Sequence, residues 1–312
     1  MKHLRMIPIA LVISLSALHA AGQIQSGFEF LRTSLHARPA AMGNAFEGSV
    51  GDLSSVAYNP AGLSGVNRKS VLFTYLDYFA DFKAGSIVYG LPRTDGSVIG
   101  LSAAYMSYGE MKWTDIRGEV TGSSAPGDLL ISASYARPWS EAISYGISLK
   151  YIRSQIDQYN ADAVATDIGA VLQMHGDLNI GISARNLGVA ISGFIDEKEK
   201  LPASISGGCS KTLAHLPLTL HFHLLRYLYH ESDQLLGLYW TVGGEFKLSE
   251  SVFFRWGYNS IGEEQKVGTD SERLTGISLG FGFMLSRFRI DYAFGNHGVL
   301  ETTHRFTLAY DL

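Results

Sequence analysis

The sequence contains a single cysteine among 312 residues, Cys209, so no disulfide framework can form within the chain. Cys209 reads as a small residue on a strand. Charge is sparse: Asp, Glu, Lys and Arg make up 17% of the residues, the net charge is -4 and the pI is near 6.2. No basic stripe appears, which excludes nucleic acid as a partner. Beyond the first two dozen residues there is no apolar run of about 20, so no transmembrane helix is expected. Nucleophile elbows and phosphate loops are missing as well. Gly207-Gly208 and Gly243-Gly244 lie within alternating segments and precede no helix; they suit close backbone approach or a bend in a sheet. His221 and His223 share one face of a strand, but no Cys or acidic residue is spaced to complete a metal site. No enzyme, metal or cofactor is expected.

What the chain does have is glycine, 34 residues, and aromatics, 12%. Its first 22 residues read as a secretory signal. Lys2 and Arg5 precede the apolar stretch Met6–Leu18, and Ala20-Ala21-Gly22 offers a cleavage site before Gln23. No cysteine follows that site, so no lipid anchor is expected.

From residue 69 to 312 the pattern is period two. Phe306, Leu308, Tyr310 and Leu312 alternate with Thr307, Ala309 and Asp311. Phe288, Ile290, Tyr292 and Phe294 alternate with Arg289, Asp291, Ala293 and Gly295. Tyr145 to Tyr151, Trp240 to Leu248 and Val252 to Tyr258 repeat the pattern. Many segments run to about 10 residues, the length a tilted strand needs to cross a bilayer. About 14 strands can be placed, an even number. The connections alternate in length. Tight ones fall at 93–96, 138–141, 175–176, 213–215, 249–250 and 286. Generally longer ones fall at 108–127, 188–201, 229–237 and 261–271, with shorter members at 78–83, 155–160 and 297–300. Together these features predict an all-β, up-and-down transmembrane barrel in the outer membrane of a Gram-negative bacterium. Its long loops face outside, and both termini are periplasmic.

The segment 23–68 reads differently. Leu35–Leu63 is rich in Gly, Ala, Ser and Asn and has no strand alternation. Pro39–Met42 can open a helix that Gly43 stops, Ser54–Tyr58 can form another, and Asn59-Pro60 suits a turn or an N-cap. A barrel of about 14 strands leaves a lumen unless something fills it. This segment is the available plug, inside the barrel or at its periplasmic end. The inward-facing set on the strands includes Lys150, Glu245, Lys247, Arg255, Arg289 and Asp291, which are expected to line a solvated lumen.

The residues Ala37-Arg38, Ala40, Met42-Gly43, Ala45, Asp52 and Asn59-Pro60-Ala61-Gly62-Leu63 resemble the N-terminal signature of the PorV/PorQ family, itself similar to FadL-type outer-membrane barrels. Tyr75–Asp81, Tyr105–Met111, Leu149–Ile152, Leu201-Pro202 and Arg287–Arg289 continue the likeness in order, and the short length favours the PorQ-type branch. The resemblance implies a non-enzymatic barrel of the type IX secretion attachment complex. Such a barrel holds a surface partner (PorZ-like), alongside PorU- and PorV-like components, for cargo processing and anchoring. A FadL-like channel for hydrophobic compounds is the alternative, and a purely structural barrel a third. The signature residues Arg38, Gly43, Asp52, Asn59, Pro60, Ala61 and Gly62 are expected to be plug architecture. Candidate partner contacts are Trp113, Asp115 and Arg117, then Phe194, Ile195 and Glu197, then Glu263 and Glu264, on three of the longer loops. The competing expectation is that these loops fold over the mouth with their apolar residues inward.

Overall fold

The structure, a computed structural model, describes residues 28–194, 198–228, 237–266, 272, 274–298 and 302–312. The expected signal sequence, Ile195 and Glu197 lie outside the described residues, and the side chain of Glu264 is not described.

Period-two alternation becomes a closed sheet. The strands are β1 (Ser70–Asp77), β2 (Lys83–Pro92), β3 (Val98–Ser107), β4 (Met111–Thr114), β5 (Val120–Ser124), β6 (Gly127–Pro138), β7 (Ile143–Ile156) and β8 (Tyr159–Met174). Then come β9 (Leu178–Ala190), β10 (Ser204–Thr212), β11 (Leu218–Tyr227), β12 (Leu238–Lys247), β13 (Val252–Asn259), β14 (Ile277–Leu285), β15 (Phe288–Asn296) and β16 (Thr302–Asp311). All but β4 and β5 form one 14-stranded antiparallel barrel, which β1 closes by pairing with β16 from Ser70↔Asp311 to Asp77↔His304. Its outer face exposes Phe73, Ile131, Leu149, Ile182, Phe281 and Phe306, among many others. A continuous apolar belt of this kind is a surface for hydrocarbon, not for water.

The tight turns gather at one end with the start of β1 and the end of β16, and the long connections gather at the other. Three details depart from the sequence reading. The loop 108–127 contains the β4–β5 hairpin, whose four- and five-residue strands are too short to register as alternation. At 155–160 there is only the two-residue turn Asp157-Gln158, because β7 and β8 keep pairing to Ile156↔Tyr159. The strand expected from 272 begins, as β14, only at Ile277.

The N-terminal segment fills the lumen from one end to the other. Its first turn, Glu29–Arg32, lies at the long-loop end, where Phe28 and Phe30 pack on Leu76, Ala84, Met106 and Ile152. Helix α1 (Ala37–Ala41) has Pro39 in its first turn, and Gly43 follows it at φ 64°. Two 3-10 turns follow, Leu53–Ala57 and Pro60–Gly65, capped by the side chains of Asp52 and Asn59. There Leu53, Val56, Leu63 and Val66 pack on Leu72, Val88, Val98 and Ala136, closing the tight-turn end. The plug is therefore not confined to that end.

Close packing of this plug depends on wall positions without a side chain. A methyl group on Gly169 would overlap Asn59 Oδ1; on Gly181 it would overlap the Glu47 carbonyl; on Gly257, the backbone of Met42 and Gly43. Gly146 and Gly208 meet the plug in the same way, and Gly243 meets Met42. Gly207, by contrast, faces outward, with its nearest neighbour Ile182 Cγ2 at 3.8 Å. Gly169→Ala and Gly257→Ala are accordingly expected to destabilise the filled barrel by about 1–3 kcal/mol each through overpacking. Gly207→Ala is expected to be near neutral. Urea unfolding of the lipid-refolded protein, followed by heat-modifiable gel mobility, distinguishes the two classes.

Candidate functional site

The plug and the wall meet through a closed ring of charges. Arg38 donates Nε to Glu245 Oε2 at 2.9 Å and Nη2 to Oε1 at 2.8 Å, a two-point fork, while its Nη1 reaches Asp52 Oδ2 at 2.7 Å. Glu245 Oε2 also accepts from Arg255 Nε at 2.5 Å, and Arg255 Nη1 continues to Asp291 Oδ1 at 2.7 Å. Asp291 Oδ2 accepts from Arg289 Nε at 2.8 Å, and Arg289 Nη2 returns to Asp52 Oδ2 at 2.8 Å. Three guanidinium groups thus alternate with three carboxylates, and the ring is neutral. Arg255, Asp52 and Asp291 are at most 2% exposed in their side chains. The solvated lumen wall expected of these charges is therefore corrected: burial requires partners, and the plug supplies two of the six. Lys247 alone of the expected inward charges stays exposed, paired with Glu250 beside a tight turn.

The local sequence explains how the ring closes. Glu245 and Arg255 are register partners on β12 and β13. Asp291 lies on β15, with β14 in between. Gly282 on β14 leaves the gap through which Arg255 reaches, since a methyl there would come within 2.6 Å of Nη2. Burial pushes the Asp52 carboxyl up, but Arg289 and Arg38 outweigh it and hold it well below the usual carboxylate range. His36, which lies 3.2 Å from Thr74 through Nδ1, is lowered to about 4, chiefly by burial.

Across the lumen the signature residue Asn59 joins the plug to β8 and β9. Its amide nitrogen shares protons among the carbonyls of Glu47, Ala170 and Ile182 at 3.1–3.3 Å, and its oxygen accepts from Ala61 N. Pro60, Ala61 and Gly62 form the turn that this cap begins, and Gly62 packs with no room for a side chain against Ser49 and Ser55. Nearby, Asp167 points inward by the alternation of β8 and meets Lys150 at 2.6 Å. Opposite it β9 carries one extra residue, and Asn186 there, at φ 55°, donates its N–H to Asp167 Oδ1 at 2.7 Å and accepts from Lys150 at 2.9 Å. Glu47 accepts from Ser206 at 3.0 Å, and burial raises its carboxyl. His223 lies 3.7 Å from Glu47, and His221 stacks on Phe46. None of this was legible as a set in the sequence, because the partners are brought together only by barrel closure. Among the described residues no group of three or more His, Cys, Asp or Glu could hold a metal ion.

At the long-loop end a cavity of about 400 Å³ opens beside the first plug turn, lined by Phe30, Tyr78, Phe79, Phe82, Tyr108 and Arg305 among others. A smaller one of about 110 Å³ runs deeper along residues 30–36 to Lys150, Arg185 and His223. The candidate loop residues have separate surroundings. Trp113 is 48% exposed on the β4–β5 hairpin. Asp115 accepts from the backbone of Arg117 and Glu119, which makes it the residue that shapes the hairpin turn. Arg117 is exposed. Phe194 lies against the cluster around Phe28 and Phe30, as the competing expectation of an inward-folded loop has it and not that of an exposed anchor. Glu263 is held by Tyr258 and Lys266.

The ring makes a measurable demand. Asp52→Asn leaves an excess buried positive charge and is expected to cost about 3–5 kcal/mol, whereas Arg255→Met combined with Asp291→Leu keeps the site neutral and should cost less than either change alone. Equilibrium unfolding in urea, with trypsin accessibility of the plug as a second readout, checks both.

The family described as "Type IX secretion system protein PorV" matches residues 18–208, more than half of the chain. No curated protein sequence matches. Among solved structures, the deltaS2S3 mutant of the monoaromatic hydrocarbon channel TodX has a TM-score of 0.62 at 11% identity, covering 88% of this chain and 98% of that one. The toluene transporter TbuX of Ralstonia pickettii has 0.59 at 12% identity, covering 89% and 98%. A FadL homologue of Pseudomonas aeruginosa has 0.55 at 12% identity, again covering 89% and 98%. At these identities the likeness is one of fold, that of a FadL-like outer-membrane barrel. With a plug and barrel of this form, and a family match spanning the plug and the strands through most of β10, the chain belongs to the PorV family of type IX secretion system proteins.

Proposed function

We propose that this protein is a non-enzymatic, PorQ-type component of a type IX secretion attachment complex. It sits in the outer membrane with its long loops outside and both termini periplasmic. There it holds a PorZ-like surface partner, in company with PorU- and PorV-like components, for cargo processing and attachment. The observation that carries this reading is the locked plug. The six-charge ring and the glycine seats fix it to the wall, and the cluster around Leu53 and Leu63 fills the tight-turn end. A barrel closed in this way is suited to display loops at a membrane surface. The exposed β4–β5 hairpin with Trp113 is the best candidate contact.

A second reading has its own support. TodX and TbuX are a hydrocarbon channel and a toluene transporter by name, and the aromatic mouth cavity would suit the entrance of such a path. Below that mouth, however, the lumen holds buried ion pairs, which oppose passage of an apolar solute.

Affinity purification of the tagged protein from native membranes is expected to recover a large surface protein, and deletion should impair cargo anchoring. Intact anchoring after deletion, together with poorer growth on fatty acids or aromatic hydrocarbons, would favour the channel. An epitope inserted at 196–199 should label intact cells and one at 94–96 should not; the reverse pattern would invert the orientation.

A further inference from the structure

The mouth cavity has a feature that its role as the rim of a plugged barrel does not use. Arg305, on β16, is 5% exposed, yet it forms no ion pair with any described residue. Its Nε donates to the Ser34 carbonyl at 2.8 Å and its Nη1 to Thr303 Oγ1 at 2.7 Å. Both acceptors are neutral, and Nη2 makes no hydrogen bond to a described residue. Arg255, buried elsewhere on the wall, is met by two carboxylates. A buried guanidinium without an anion is costly unless an anion arrives. Arg305 forms part of the lining of the cavity of about 400 Å³, a size typical of ligand sites; Phe30, Tyr78, Phe79, Phe82 and Tyr108 make its aromatic walls, and the Glu29–Arg32 ion pair of the first plug turn also lines it. Phe82 and Tyr108 meet edge to face at 4.9 Å, and Tyr78 lies 4.1 Å from Phe79, so the walls are mutually braced.

We propose that this cavity is a docking socket for an acidic segment of the surface partner, with an Asp or Glu carboxylate seated on Arg305 and a neighbouring apolar side chain held among the aromatic walls. The proposal rests on the reading of the barrel as a partner anchor. Two observations select a protein segment of this chemistry. No described residue gives the guanidinium an anion, and the socket opens at the end where the long loops and the exposed hairpin gather. A carboxylate fork to arginine fixes orientation as well as affinity, which suits register between two proteins. The aromatic wall supplies the apolar anchor typical of an interface centre.

Site-specific photo-crosslinking in intact cells tests it. The full-length chain carries p-benzoylphenylalanine in place of Phe79 in the socket or, separately, of Trp113 on the hairpin, and the crosslinked peptide is sequenced by mass spectrometry. The expected result at position 79 is a peptide of a secreted surface protein with an Asp or Glu within a few residues of the adduct. Its yield should fall about tenfold or more with Arg305→Gln and by less with Arg305→Lys, which keeps the positive charge but not the fork. Gel heat-modifiability confirms that each variant is folded; if Arg305→Gln does not fold, Phe82→Ala, which removes a wall residue, takes its place with the same expected loss. A peptide without an acid, an adduct with a lipid or small molecule, or an unchanged yield in the charge-removed or wall-removed variant overturns the socket. Adducts at 113 but none at 79 overturn the socket and leave the anchoring role standing. Adducts at neither position overturn both.

Discussion

A sheet of 14 strands closed on itself encloses more space than its own side chains fill, and the rest of this structure follows from that constraint. The lumen can hold water or it can hold protein. Here it holds protein, and the consequences appear at every level. The wall gives up side chains where the plug arrives, at Gly146, Gly169, Gly181 and Gly257. The plug in turn supplies charges where the wall has buried its own. Glu245, Arg255, Arg289 and Asp291 have between them two positive and two negative charges. Adding Arg38 and Asp52 keeps the sum at zero and completes the alternation. Each carboxylate then faces two guanidinium groups, so that no charge is buried alone.

The membrane barrel was legible because its signal is local. Phe288 to Phe294 and Trp240 to Leu248 alternate regardless of what lies across the lumen, and the segregation of tight turns from long loops needs only counting. Asn59 as an N-cap and Gly43 as a helix stop are local too. The ring was not legible. Glu245 and Arg255 are separated by one tight turn and could be paired by register, but Asp291 joins them only by crossing β14 at Gly282. Arg38 and Asp52 join only once the plug has been threaded in. The same lack of a partner map made Arg289 and Asp291 look like residues of a solvated wall. Phe194 stayed open between exposed anchor and inward-folded residue because the sequence does not say that Phe28 and Phe30 reach the long-loop end.

The path of the plug also bears on what the barrel can do. A plug touching only the tight-turn end could swing aside at the cost of one contact set. This one is held at both ends: an aromatic and aliphatic cluster at the mouth, and toward the tight-turn end the ring, the Asn59 bridge and the Leu53–Leu63 cluster. Displacing it would expose buried charges on the wall and break hydrogen bonds to β8 and β9 in the same movement. Contacts that must fail together give a fixed lumen in preference to a gated one.

That fixity gives the mouth its character. A rigid floor, with Ser34 held against Arg305 and Phe30 packed beneath the rim, means that the cavity above it is preformed. A preformed cavity loses little entropy on binding, so a modest set of contacts can hold a partner. Lys150 meets Asp167 and Arg255 meets two carboxylates, whereas Arg305 at the mouth faces only neutral acceptors. Arg305 lies at the open end of the lumen, where another molecule can supply the anion that no described residue provides.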